Sequence, residues 1–207
     1  VRRNQLKRWN IIGLLLFVSM AMVIWKDRVP PFDRVVSDFF AKHHTPFLEK
    51  LFIGITYLNG WEAVSIISVA LTLFFLMKHR FKVLRLYLFT IITAVLSASL
   101  LKLFIVRHRP NDALLTIESY AFPSWHATLS VVLALLIYTI FVAPMHNHRL
   151  RQILSTFLVI WSLLIGFTRF YLNVHWCSDV LAGWGLGLFI ATGSLLLFHY
   201  PHLKNHR

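Results

Sequence analysis

Charge is scarce in this sequence and unevenly signed. Of 207 residues only 14% are charged, against 57% hydrophobic, whereas a soluble domain carries about a quarter charged residues. Acids are the scarcest: eight Asp and Glu face 21 Lys and Arg, a formal net charge of +13. There is one cysteine, Cys177, which excludes an intrachain disulfide and a cysteine metal cluster. No linker-like tract, low-complexity run or internal repeat divides the chain, so it reads as a single domain. Residue 1 is Val rather than Met, which reads as a processed, truncated or excised chain.

Several chemical signatures are missing too. The 11 histidines are not accompanied by an HExxH motif or a clustered carboxylate set, which argues against a catalytic metal. The pairs His43-His44 and His146/His148, and the trio His199/His202/His206, lie in polar stretches. A GxxxxGK[ST] loop is absent, which argues against nucleoside triphosphates. No arginine-terminated phosphate loop follows Cys177, so a thiol phosphatase is disfavoured. We expect no metal and no cofactor.

What is abundant is uninterrupted apolar sequence. Segments of membrane-crossing length fall at 9–25, 61–77, 84–106, 127–143, 153–172 and 180–198, and a spanning helix needs about 17–25 residues. Lys102 is the one charge set within a span, away from its ends. Barrel strands would alternate at every second residue; these segments do not, so they read as helices. The first follows Arg2, Arg3, Lys7 and Arg8 but ends in Trp25-Lys26-Asp27, without a small-residue cleavage site, and reads as a retained span rather than a signal peptide. Trp9, Trp25, Trp61, Trp161 and Tyr200 lie mostly near span ends, where amphipathic rings favour the interface. Between the first two spans, Val35, Phe39, Phe40, Phe47, Leu48, Leu51, Phe52 and Ile55 recur at helical spacing, broken at Pro46. They read as one or two short helices, either lying on the membrane surface or packed on the bundle. The fold class is therefore all-α: a polytopic membrane bundle of six transmembrane helices with short interfacial helices between spans 1 and 2.

Sidedness follows from the basic residues. One set of loops and termini holds Arg2, Arg3, Lys7, Arg8, Lys78, Arg80, Lys82, Arg85, Arg149, Arg151, Lys204 and Arg207 and no acid. Lys/Arg-rich loops face the cytoplasm, which puts both termini there. The clusters between apolar segments suit anionic headgroups better than nucleic acid, and we expect no nucleic-acid partner. Gly183, Gly185 and Gly187 form a small-residue stretch in span 6, read as close helix packing inside the bundle.

Connectivity then brings the end of span 3, the start of span 4, the end of span 5 and the start of span 6 to the opposite face. Those places carry Lys102 and Arg109; Ser124 and His126; Arg169; and His175 and Asp179. Ionisable groups near membrane depth are functional candidates. Lys102 and Arg109, seven apart, are expected on one face of a helix that Pro110 ends. Two such cations can bind one polyanion; headgroup snorkelling is the alternative for Arg107 and Arg109. Pro123-Ser124-Trp125-His126 opens span 4, and a serine at a helix start is either a simple cap or part of an anion site. His175 and Asp179, four apart, are expected as neighbours on a helix face, where a carboxylate fixes the tautomer and frees the other nitrogen to attack. Arg169 offers a forked contact to phosphate oxygens.

Together, Lys102-x6-Arg109-Pro110, Pro123-Ser124-Trp125-His126 and Thr168-Arg169-x5-His175-x3-Asp179 resemble the three-part signature of the type 2 phosphatidic acid phosphatase superfamily. That group includes bacterial phosphatidylglycerophosphate and undecaprenyl pyrophosphate phosphatases and is related to vanadium haloperoxidases. The resemblance implies metal-independent hydrolysis of a lipid phosphate or pyrophosphate through a phosphohistidine. His175 would be the nucleophile, Asp179 its orienting partner and His126 the acid for the leaving oxygen. Lys102, Arg109, Ser124 and Arg169 would hold the phosphate, with Trp125 beside them. It implies a phospholipid or polyprenyl (pyro)phosphate substrate, membrane lipids as surroundings, and a bacterial inner-membrane location with the site on the periplasmic side. Two positions depart from the pattern. Thr168 stands where Ser is usual and keeps the hydroxyl, while Trp125 stands where Gly is usual. A tryptophan cannot copy glycine's close approach or unusual dihedrals, so blockage of the pocket or deformation of its amides is the expectation to test. It keeps two alternatives open: a lipid phosphotransferase, and a catalytically silent lipid-phosphate binding or transport protein.

Overall fold

In a computed structural model of the chain, residues 3–199 are described. Arg2, Tyr200, His202, Lys204, His206 and Arg207, used above for sidedness, interface and metal arguments, lie outside the described residues. The described part comprises α1 (Arg3–Lys26), α2 (Pro31–Lys42), α3 (Pro46–Tyr57), α4 (Trp61–Met77), α5 (Phe81–Ile105), α6 (Trp125–Ile137), α7 (His148–Tyr171) and α8 (Cys177–Leu197). A π-helical turn, Tyr138–Val142, extends α6. Six segments are long and apolar enough to cross a membrane: α1, α3 with α4, α5, α6 with its π-turn, α7 and α8. The chain is an integral membrane protein of the all-α class, as its apolar runs predict.

The bundle is built around α8 and α6, the most buried spans. Glycines let them approach. A Cβ on Gly183 would stand 2.6 Å from the Ser124 carbonyl oxygen and 2.9 Å from the Ala127 Cβ, and one on Gly187 would run into the Thr128 carbonyl oxygen. Gly185 faces α1 instead, where a Cβ would come within 2.7 Å of the Phe17 nitrogen. The expected small-residue packing in span 6 is thus two seams, one for each neighbour. The opposite surface of the molecule is apolar, with Trp25, Met22, Ile66, Phe104 and Ile153 largely exposed, as lipid contact requires.

Between α1 and α4 the chain forms two helices, the second of which runs on into the crossing segment that α4 completes. α2 buries Asp33 and Ser37 while exposing Val35 and Phe39; α3 buries Thr56 while exposing Phe47 and Leu51. Phe40, Leu48, Phe52 and Ile53 pack inward against Tyr171, Leu172 and Val174, so each helix turns a mixed face to the bundle. Pro31 and Pro46 each sit at a helix start, where fixed φ and a missing N–H cost nothing.

Candidate functional site

At one end of the bundle the four expected places converge, but not by the helical spacing read from the sequence. α5 stops at Ile105, and Val106 adopts a left-handed conformation (φ 48) whose N–H donates to the Lys102 carbonyl. Lys102 and Arg109 therefore do not share a helix face; Arg109 lies in the following loop. The sequence reading relied on Pro110 to end the helix, and a β-branched residue at positive φ is a stop that no propensity rule anticipates. In the same way, His175 precedes α8. Asp179 sits in the first turn of that helix and accepts the Trp176 N–H at its Oδ2 (2.9 Å). The cap turn, rather than a shared face, brings His175 Nδ1 to 3.4 Å from that oxygen. Alignment is poor and Nδ1 has no hydrogen-bond partner, so the pair is close in charge without being hydrogen-bonded.

The other ring nitrogen, Nε2, faces Arg109 Nη1 at 3.0 Å. Burial, then the nearby cations of Arg109, Lys102 and Arg169, hold the His175 imidazole well below its usual pKa. Its neutral form is favoured, and the Nε2 lone pair points at a guanidinium. Arg109, lowered by burial to about 10, is still a cation at neutral pH. All five of its N–H donors are engaged: on the Ser119 carbonyl (2.8 Å), the Val174 carbonyl (2.6 Å), His175, the Ser119 hydroxyl (3.1 Å) and the Tyr120 carbonyl (3.2 Å). Lys102 Nζ donates to the Tyr120 carbonyl and, at 3.4 Å, to that of Ala121. The loop carbonyls of residues 119–121 thus occupy both cations.

Two further donors are buried without a partner. Ser124 occupies the cap position of α6, yet its side chain makes no capping bond and its Oγ is an orphan. Arg169, in the last turn of α7, spends Nη1 on Thr56 Oγ1 (2.7 Å) while Nε has no partner. Buried polar groups left unmatched call for an explanation, and a simple capping role for Ser124 is not it. His126 follows in the first turn of α6, within electrostatic reach of Arg169, Arg109 and Lys102. Trp125 takes an ordinary helical place, and its indole packs against the apolar core and edge-on to His126 (ring centroids 5.9 Å apart). The expected deformation of the amides is not seen.

The sequence reading missed Arg107 and Asp33. Arg107 does not snorkel: it is 2% exposed and lies between two carboxylates. Its Nη2 donates to Asp33 Oδ2 (2.6 Å) and its Nη1 to Asp179 Oδ1 and to Ser178 Oγ (2.7 Å). Asp33 also accepts the Ser178 N–H (2.8 Å) and hydroxyl (2.5 Å). The i, i+4 spacing of Asp33 and Ser37 on one face of α2 was the available signal. Elsewhere, His43 and His44 turn ring nitrogens to the Phe39 and Tyr171 carbonyls. An apolar cavity of about 590 Å3, between α1, α6, α7 and α8, lies away from this charged cluster.

Comparisons with known proteins bear on the fold and the family. Phosphatidylglycerophosphatase B of Bacillus subtilis (strain 168) is 29% identical over 180 residues, 85% of this chain and 88% of that protein. A crystal structure described as the first transmembrane PAP2 type phosphatidylglycerolphosphate phosphatase from Bacillus subtilis superposes with a TM-score of 0.83 at 24% identity, covering 96% of this chain and 98% of that one. Aquifex aeolicus LpxE superposes with a TM-score of 0.60 at 21% identity, covering 79% and 92%; both superpositions speak for the fold. Residues 83–203, which contain all three motifs, match the PAP2 superfamily, and the chain belongs to it.

Proposed function

We propose that this PAP2 lipid phosphatase works as a single domain that hydrolyses a lipid phosphate monoester or diphosphate without a metal, through a phosphohistidine on His175. One observation carries the reading: the His175 Nε2 lone pair faces a guanidinium at the end of the bundle that also holds two buried orphan donors, Ser124 Oγ and Arg169 Nε. A bound phosphoryl group would offer an electrophile to the lone pair and acceptor oxygens to the donors. In the first step the Nε2 lone pair forms an N–P bond as the P–O bond to the lipid breaks, and His126 gives its proton to the leaving oxygen. In the second, His126 takes a proton from water, whose oxygen attacks phosphorus and breaks the N–P bond. Arg109, Lys102, Arg169 and Ser124 stabilise the charge on the equatorial oxygens. The relative from Bacillus subtilis makes phosphatidylglycerophosphate the first substrate to test. The basic end of the bundle, with Lys7, Arg8, Lys78 and Arg80, is assigned to the cytoplasm, which turns the site to the periplasmic face of a bacterial inner membrane.

The experiment is phosphate release in the presence of chelator from phosphatidylglycerophosphate, phosphatidic acid, undecaprenyl pyrophosphate and lipid A phosphates. The expected result is turnover of at least one, blocked by vanadate and lost in His175→Ala. Unchanged activity in His175→Ala overturns the mechanism. Phosphate appearing on a second lipid rather than free would make the enzyme a transferase. The start of α6 keeps its helical geometry at Trp125, and a Trp125→Gly comparison separates an active enzyme from a silent binder: turnover gained only with the glycine marks the silent one.

A further inference from the structure

The cluster behind the nucleophile holds more charge than orienting a histidine needs. Asp33, Arg107 and Asp179 are 0%, 2% and 0% exposed, and they come from α2, the loop after α5 and the first turn of α8. Two carboxylates share one guanidinium, so the group carries one negative charge in excess. Burying it is costly unless something nearby takes advantage of it. The Asp33–Arg107 contact extends nothing toward the phosphate cradle; it points away from it, into α2. A simpler arrangement, Asp179 paired with Arg107 alone, would hold the same rotamer and be electrically neutral.

Lys102 and Arg109 already lie within electrostatic reach of Asp179, and a further cation appears during turnover. When neutral His175, protonated at Nδ1, forms an N–P bond at Nε2, its ring becomes a cationic phosphoimidazole. Nδ1 then lies 3.4 Å from Asp179 Oδ2, at the edge of the cluster. We propose that Asp33 is a positioning residue for phosphoryl transfer: through Arg107 it fixes Asp179, and it gives the buried cluster the excess negative charge that stabilises the imidazolium. Preorganised charge facing a charge that develops in the transition state is the most effective electrostatic arrangement in a water-excluded site. The inference rests on the phosphohistidine reading given above.

The test is single-turnover trapping of the phosphoenzyme with phosphatidylglycerophosphate labelled in its terminal phosphate, using the full chain in detergent micelles. Asp33→Asn, isosteric but uncharged, should slow phosphoenzyme formation by about 100-fold while KM stays within about threefold. Ser178→Ala removes two hydrogen bonds of the same cluster without changing its charge, and should cost no more than about tenfold. The decisive variant is Asp33→Glu, which keeps the charge and the Arg107 clamp but not the length of the side chain. It should form phosphoenzyme at least about tenfold faster than Asp33→Asn. A purely structural role predicts the opposite order, because the isosteric Asn keeps the fit and Glu does not.

An Asp33→Asn protein with unaltered phosphoenzyme formation overturns the inference, and so does an Asp33→Glu protein no faster than Asp33→Asn. If Asp33→Asn does not fold, Asp33→Glu is compared with the unaltered protein, and a deficit beyond about 100-fold overturns the charge argument. Absence of any phosphoenzyme in the unaltered protein, with turnover intact, instead removes the phosphohistidine reading beneath it.

Discussion

At the scale of the residue, the site is defined by which polar atoms lack partners as much as by which have them. Ser124 Oγ has no hydrogen-bond partner among the described residues, so Ser124→Ala should leave the melting temperature unchanged. A hydrogen bond to charged phosphate contributes about 1.5–3 kcal/mol, so kcat/KM should fall roughly 10- to 150-fold. A serine acting as a cap would give the reverse pattern, with stability lost and kinetics preserved. The depressed pKa of His175 makes a second prediction. An unfolded histidine takes up a proton near pH 6.5, whereas in the folded protein the cations and burial postpone that uptake to lower pH. Any stability tied to this group is therefore complete above about pH 6.5 and declines as the pH falls below it. Histidine-labelled protein in micelles, with the His175 signal identified by its loss in His175→Gln, should still show a neutral ring at a pH below about 6.5, where a free histidine is mostly protonated. A ring already protonated there would contradict the electrostatics of the site.

At the scale of the element, the 111–121 loop and the α6–α8 seam carry the predictions. Carbonyls of Ser119, Tyr120 and Ala121 satisfy Arg109 and Lys102, so an arriving phosphate has to displace them. Vanadate binding should change hydrogen–deuterium exchange most strongly over residues 111–121, and unchanged exchange there would show that the cations serve substrate without releasing the loop. At the seam, a Cβ on Gly183 meets the Ser124 carbonyl at 2.6 Å; backbone cannot yield as a flexible side chain does. Gly183→Ala should cost about 1–3 kcal/mol, read as a lower melting temperature, and should lower kcat as well because it pushes on Ser124. These elements also show what the sequence can reveal. Span positions were legible because apolar length is a one-dimensional signal. The convergence of His175, Arg169, Ser124 and Lys102 was legible because alternating spans fix which ends meet. Helix ends were not: Val106 and the α8 cap turn replaced the expected shared faces, since a helix terminus is set by tertiary contacts that spacing does not encode. Asp33 stayed hidden for a related reason. Its partners Arg107 and Ser178 lie 74 and 145 positions away, and an acid in a short surface helix ordinarily reads as solvated.

At the scale of the whole molecule, lipid takes the place of water around the spans, and α2 and α3 mix the two rules. They send Asp33, Ser37 and Thr56 inward together with Phe40, Leu48 and Phe52, and leave Val35, Phe39 and Phe47 exposed. Substitution of Phe47 by Ser should therefore weaken membrane seating more than site chemistry. Orientation is tested separately. In a Cys177→Ala background, a cysteine at Asp112 should react with an impermeant maleimide in intact cells, and one at His79 only after lysis; the reverse pattern would invert the assigned topology.

The clamp on Arg107 has a consequence for biogenesis. During synthesis its guanidinium emerges long before α8, whose Asp179 lies 72 residues further along the chain. Until then Asp33 is its counter-ion, but Nη1 lacks the Asp179 and Ser178 oxygens it meets in the folded protein, and a buried donor without an acceptor is unfavourable. The catalytic end of the bundle can close only when the last span has inserted, so a nascent chain arrested before α8 would carry both cation-bearing motifs and yet no working enzyme.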